Sequence, residues 1–189
     1  SLLIPIINFQ VETAVLRWML EAKDSAERGK IFTNAILFIT LNSFVSGIVY
    51  VIVTYYYPFK NSNMILLMAI SQVYYPIILQ TVRGLKDNIL YVKTGVIFSV
   101  LVLLLNVTLI GFFNLKLGGV IRSNVVATII TTIYAIGKRN LLRLLSLKYV
   151  DKQLIAKFVA FCLPLVPNSI SWWAITGANT YLILLYMGV

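Results

Sequence analysis

Few side chains in this sequence could do acid–base or metal chemistry. The 189 residues include no histidine, one cysteine (Cys162) and six acids. This excludes histidine-based proton transfer and ordinary zinc or haem sites. Of the acids, only Glu12 lies away from segments rich in lysine and arginine. We therefore expect no catalytic residue, no metal site and no cofactor, and a protein that is not an enzyme.

Glu12 and Arg17 are charged residues within an apolar segment. Charges at membrane depth are expensive and are functional candidates for that reason. At 100° per residue, Gln10 and Arg17 share one helix face, whereas Asn8 and Glu12 share another, so Glu12 does not easily pair with Arg17 within the helix. Glu12 is a candidate for ion coupling. Arg17 either lines a polar cavity or extends to the membrane surface.

The elements that carry these residues are transmembrane helices. Hydrophobic residues make up 60% of the chain, the mean hydropathy is +0.90, and only 12% of residues are charged. A hydrocarbon core about 30 Å thick requires roughly 20 apolar residues of helix. Such lengths predict an all-α, polytopic membrane protein with about six spans: 1–20, 31–59, 61–82, 94–115, 117–137 and 158–189.

The basic residues lie mostly on one predicted face of the membrane. With the loops alternating between the two faces, thirteen of the sixteen lysines and arginines follow spans one, three and five. The positive-inside rule assigns that face to the cytoplasm. The net charge of +10 is therefore a topology signal and a contact with membrane lipids, and we expect no nucleic-acid partner.

Polar and proline residues interrupt the third and fifth spans. Pro76 cannot donate to the carbonyl of Gln72, so a kink and a hinge are predicted there. Arg122 either extends to the outer surface or contacts an anionic substrate at the outer mouth. The residues that follow it on one helical face form either helix–helix hydrogen bonds or a wetted path: Asn124, Thr128 and Thr131.

The last third of the chain combines a basic segment with a proline-rich one. Residues 138–157 are predicted to form a basic, leucine-rich helix along the cytoplasmic interface. Beyond it, Pro164 and Pro167 release the carbonyls of Ala160 and Leu163, so a hinge is predicted there. Uncharged side chains follow that are suited to the freed backbone groups, to a cavity or to stacking on sugar: Asn168, Ser169, Ser171, Trp172 and Trp173.

Two stretches resemble polysaccharide (O-antigen) flippases of the multidrug/oligosaccharidyl-lipid/polysaccharide exporter superfamily. "FCLPLVPNSISWWAITGANTY" (161–181) resembles the start of the family's seventh helix, with Asn179-Thr180 where an acidic–basic pair is common. "INFQVETAVLRWM" (7–19) is similar to the second helix, in which relatives often have a glycine at or beside position 10. Five helices and a basic segment leading to the seventh helix also follow the family's order.

The resemblance implies a transporter of about twelve to fourteen helices in two bundles, of which this chain is an internal part. Residues 1–137 would form part of the first bundle, 138–157 the linker and 158–189 the first helix of the second. The substrate would be an undecaprenyl-pyrophosphate-linked oligosaccharide, moved across the bacterial inner membrane, with a polysaccharide polymerase and other assembly proteins as partners. The alternative is a cation-coupled exporter of drugs or small molecules on the same scaffold. The substrate-binding candidates are Arg17, Arg122, Asn168, Trp172 and Trp173.

Overall fold

The chain is helical throughout the part that the structure describes. A computed structural model describes residues 7–58 and 62–187, apart from the side chains of 173, 180–184 and 187. In these ranges there is no strand. The helices are α1 (Val11–Glu21), α2 (Ser25–Tyr56), α3 (Ser62–Gly84), α4 (Asn88–Asn106, continued by the π-helical Val107–Phe112), α5 (Lys116–Arg139), α6 (Lys152–Cys162) and α7 (Leu165–Met187).

Several of these helices are long and apolar enough to cross a membrane. Four qualify singly, namely α2, α3, α4 with its π-helical end, and α5. The pair α6 and α7, bent by 45°, makes a fifth if it is taken as one span. This confirms a helical chain compatible with a multi-pass membrane protein.

The first span is shorter and less regular in the structure than the sequence predicts. The predicted range is 1–20, of which 1–6 lie outside the described residues. From Ile7 onward the helix is interrupted at Phe9 and Gln10, and α1 has only 11 residues. At 1.5 Å per residue, α1 is about 16 Å long, roughly half the hydrocarbon thickness.

The helix ends that carry most of the basic residues meet at one end of the bundle, here called the basic end. Gly84 at the end of α3 packs directly against Met19 near the end of α1. Arg139 at the end of α5 lies with its Nε 3.9 Å from the Oδ2 of Asp87, the N-cap of α4. The basic residues predicted to share one face are thus brought together.

The hydrophobic core surrounds α1. Met19 and Val15 of α1 are fully buried, as are Val82 of α3 and Phe158 and Cys162 of α6. The ring of Trp18 packs on Phe158 with 4.5 Å between centroids. The family resemblance assigns residues 158–189 to a second bundle; Phe158 and Cys162, at the start of that range, pack in the core around α1. The change in packing comes later, at α7, whose described side chains are mostly exposed.

The segment predicted as one interfacial helix over 138–157 is not a single helix. α5 continues to Arg139 and ends at Asn140, which has left-handed backbone angles (φ 52°, ψ 42°). Two short 3-10 turns follow, Leu141–Leu144 and Leu147–Tyr149, before α6 begins at Lys152. The stretch 140–151, here called the linker segment, folds as turns because α2 offers it hydrogen-bond partners that a continuous helix could not use.

Those partners are two buried polar side chains of α2. The Asn34 Nδ2 donates to the carbonyl of Tyr149 (2.7 Å), and its Oδ1 accepts from the Asp151 N–H (2.9 Å). The Thr33 hydroxyl donates to the Leu144 carbonyl (3.1 Å) and accepts from the Ser146 N–H (3.2 Å). One turn earlier in α2, Gly29 leaves room for the Tyr149 ring, which a Cβ would meet at 2.6 Å.

Asn34→Ala should detach the linker segment from α2. It leaves the Tyr149 carbonyl and the Asp151 N–H without their partner, at about 1–3 kcal/mol for each buried group. We expect a lower melting temperature and faster tryptic cleavage at Lys148 and Lys152 in the full-length protein. Asn124→Ala is the control, because the Asn124 amide donates to Val120 of its own helix. Equal cleavage rates in the two variants would contradict this role of Asn34.

Gly84→Ala should weaken the packing of α1 on α3. An added Cβ would overlap the Cβ of Met19, which cannot move away by a change of rotamer. Gly95→Ala is the matched control, because a Cβ there meets no atom within 4 Å. Alanine alone should favour either helix by about 1 kcal/mol. We therefore expect Gly95→Ala to preserve or raise the melting temperature and Gly84→Ala to lower it; the reverse order would refute the close contact.

Candidate functional site

The first helix is broken where its polar residues begin. Ile7 and Asn8 are helical, Phe9 and Gln10 have positive φ angles of 49° and 57°, and α1 starts at Val11. The left-handed conformation costs a residue with a Cβ roughly 1–2 kcal/mol. Glycine adopts it without that cost, and glycine is the residue that the family resemblance expects at or beside position 10. Here other contacts must hold the break.

Side chains from two distant segments hold this break. The Asn42 amide of α2 donates to the carbonyl of Ile7 (3.2 Å). The Gln10 Nε2 donates to the Oγ of Ser169 in α7 (2.6 Å). Phe9 packs edge-on against Phe38. Unwound backbone at membrane depth is tolerated only where such groups or a polar cavity satisfy it.

Glu12 lies in the first turn of α1, directly after the break. Its carboxyl group is close to the side chain of Asn8, which precedes the break. Among the residues that the structure describes, the Oδ1 of Asn8 and the Oε2 of Glu12 are buried without a hydrogen-bond partner. Oxygen atoms of this kind can hold a proton or a small hard cation. We call Asn8, Gln10, Glu12, Asn42 and Ser169 the break cluster.

The second interrupted helix is α6–α7. The helix axis turns by 45° between α6 and α7, and the break falls at Leu163 and Pro164. Pro167 lies in the first turn of α7, where a missing N–H removes no helical bond. The Leu163 carbonyl, predicted to be free, accepts instead from the Val166 N–H (3.3 Å).

The serines after the prolines do not serve the freed carbonyls as predicted. Ser169 donates to Leu165 (3.3 Å) and Ser171 to Pro167 (2.9 Å), each four residues back in its own helix. A serine hydroxyl on a helix reaches the preceding turn, which is α7 itself and not α6. Ser169 also accepts from Gln10, so it differs from Ser171 in being joined to another helix.

α1 contacts the bent helix on both sides of the bend. Before the bend, the Trp18 ring packs near Phe161 (5.8 Å between centroids), and the Arg17 guanidinium lies 5.4 Å from the centre of the same ring. After the bend, Gln10 binds Ser169. Any change of the bend angle must therefore alter at least one of these contacts.

The two candidate arginines lie at opposite ends of the bundle. Arg17 is at the basic end, where its Nε lies 3.1 Å from Glu21 Oε1 and its side chain is 60% exposed. The absence of a Glu12–Arg17 pair among the described contacts agrees with the helical geometry predicted from sequence. Arg122 is exposed in the second turn of α5, at the other end. The structure does not bring them together.

The remaining candidates lie outside the break cluster. Asn168 is exposed on α7, and so is Trp172, at 68%; the side chain of Trp173 lies outside the described residues. α3 continues as one helix through Pro76. Of the polar residues on α5, Thr128 and Thr131 are buried where this helix packs on α3 and α4. The Thr131 hydroxyl donates to the carbonyls of Ala127 and Thr128 in its own helix.

Sequence reasoning missed Asn42 as a site residue, and it named Gln10 and Ser169 without pairing them. The available signal was an amide side chain inside a long uncharged run, as at Asn42. No feature of the sequence pairs positions 10 and 169, because their contact depends on the direction that α7 takes after the bend.

In the described residues, the fold and the site define an all-helical protein with four to five helices able to span a membrane and with two interrupted helices joined at a partly buried polar cluster. No family model, no characterised protein and no solved structure matches the chain.

Ser169→Ala should loosen the bend, because it removes the acceptor of Gln10. An interhelical hydrogen bond within a membrane contributes about 0.6–1.7 kcal/mol, so the population of open conformers should rise about fivefold for each kcal/mol lost. The measurement is the rate of maleimide labelling at Cys162, the single cysteine of the sequence, which is buried at the bend. Ser171→Ala is the control, and equal labelling of the two variants would contradict the role of the Gln10–Ser169 bond.

Proposed function

We propose that the chain is part of a membrane transporter that flips lipid-linked oligosaccharides across the bacterial plasma membrane for surface polysaccharide synthesis. The observation that supports transport is the Gln10–Ser169 bond between a broken and a bent helix. Transporters with alternating access use discontinuous helices near the substrate and ion sites. In this proposal the first of the six predicted spans, 1–20, crosses the membrane with the break at Phe9 and Gln10, and α7 lies in a second bundle.

The substrate class in this proposal comes from the family resemblance and from the positions of the arginines. Undecaprenyl pyrophosphate carries negative charges whose oxygens planar guanidinium groups bind in pairs. Arg17 would receive this group at the basic end, predicted to face the cytoplasm, and Arg122 would contact it at the outer mouth. Trp172, Trp173 and Asn168 on α7 would contact the sugar.

A second candidate function is a cation-coupled exporter of small molecules. The observation that favours it is the buried Glu12 Oε2, without a partner among the described residues, beside the equally unpartnered Oδ1 of Asn8. The affinity of these oxygens for a transported ion or proton would depend on the conformation of the break. This candidate shares the scaffold but not the substrate.

Surface glycan in cells that lack their own flippase tests the first function. The full-length protein should restore surface polysaccharide, and Arg17→Gln should reduce it roughly tenfold or more, since charge-assisted hydrogen bonds contribute about 1.5–3 kcal/mol. Lys148→Gln, also an exposed charge at the basic end, should not. Normal membrane abundance without glycan for any repeat unit tried would refute the proposal.

Glu12→Gln separates the two candidates. For the exporter, ion-dependent efflux of a cationic dye should be present in the wild type and lost in this variant. For the flippase, dye efflux should be absent in both.

A further inference from the structure

A separate cleft at the basic end is lined by three arginines. Arg28 comes from the first turns of α2, Arg139 ends α5, and Arg143 lies in the first turn of the linker segment. The cleft has a volume of about 270 Å³, and its other lining residues are Ser25, Leu85, Asn140 and Leu144. It involves α2, α3, α5 and the linker segment, whereas the break cluster lies on α1, α2 and α7.

The positive charge of this cleft is poorly balanced by the protein. Arg139 has a carboxylate nearby, but its Nε is 3.9 Å from the Asp87 Oδ2, and the other oxygen of Asp87 already accepts from the Leu90 N–H. Within the described residues, Arg28 and Arg143 form no ion pair. Three like charges around one small cleft repel one another unless an anion joins them.

Arg28 also has an unused donor facing away from solvent. Its Nε is buried and donates to no acceptor among the described residues. A guanidinium N–H left without an acceptor costs more than a neutral group, because the charge itself loses hydration. An anion with several oxygens in the cleft would supply the missing acceptor.

The N-terminus of α2 adds to the attraction for anions. Ser25, which lines the cleft, is the first residue of this 32-residue helix. Helix N-termini carry partial positive charge and free N–H groups, and they bind phosphate and sulfate groups for that reason. Asp24 caps only one of these groups, the Glu27 N–H (2.7 Å).

We propose that this cleft binds a phosphate group, either in the headgroup of an anionic phospholipid or as free phosphate. The oxygens of a phosphate group are arranged tetrahedrally and are numerous enough to accept from three guanidinium groups. A single carboxylate has only two oxygens, so bidentate contacts with several arginines favour phosphate. Basic pockets between helices at the cytoplasmic surface are suited to anionic lipid headgroups. A bound phosphate would contact α2, α5 and the linker segment, so it would stabilise the packing of the linker segment on α2. This proposal does not depend on the transport function.

The test compares ligand binding by the full-length protein in nanodiscs and in detergent. One arm measures retention of phosphatidylglycerol or cardiolipin by native mass spectrometry, with phosphatidylcholine as reference, and the other titrates inorganic phosphate while following the melting temperature. Retention of the anionic lipids alone assigns the site to headgroups, and a rise with phosphate at constant ionic strength assigns it to the free ion.

The variants are Arg28→Gln and Arg143→Gln, with Lys148→Gln as the control that removes the same charge from the linker segment outside the cleft. We expect each arginine variant to weaken binding about tenfold and the control to change it less than twofold. The exposed Arg143 serves as the decisive variant if Arg28→Gln fails to fold. Equal weakening by Lys148→Gln, or no binding of either ligand to the wild type, would overturn the proposal.

Discussion

The described structure depends on one constraint, that backbone groups released from helical hydrogen bonding must find other partners. The left-handed residues Phe9 and Gln10 interrupt the first helix and release the Ile7 carbonyl, which Asn42 then satisfies. The same break turns the Gln10 side chain to Ser169 and so ties the start of the chain to α7. A continuous first helix would need neither Asn42 nor Ser169. The break therefore joins the start of the described chain to α2 and to α7.

At the basic end, backbone groups of the linker segment also need hydrogen-bond partners, and a different set of residues supplies them. The linker segment turns back over α2 and would leave its own backbone groups unpaired if nothing met them. Thr33 and Asn34 meet them with side chains, and Gly29 lets the chain approach closely enough for this to occur. The result is that α6 starts in a defined place, with Phe158 and Cys162 in the core beside α1. The helix that precedes the bend at Pro164, α6, is therefore anchored in the core by Phe158 and Cys162.

Sequence predicted the features that depend on composition and length. Uncharged runs indicated α2 to α5 as spans, and the two prolines after Cys162 indicated where the last span is interrupted. The prediction that was wrong concerns local backbone structure that depends on contacts with residues distant in the sequence. Residues 138–157 have the leucines and basic residues of an interfacial helix, but hydrogen bonds from Thr33 and Asn34 draw the segment into turns. For Ser169 the sequence left open a freed backbone group or a cavity, and the structure joins it to Gln10 and to the Leu165 carbonyl of its own helix.

By itself, the sequence determined that this chain is apolar, helical and basic on one predicted face, because hydropathy and charge act through each residue's own transfer free energy. Only the tertiary structure decided that positions 10 and 169 and positions 34 and 149 meet, and that positions 28 and 143 line one cleft. Such pairs depend on the paths of whole helices, and a polar side chain in an apolar run does not identify its partner.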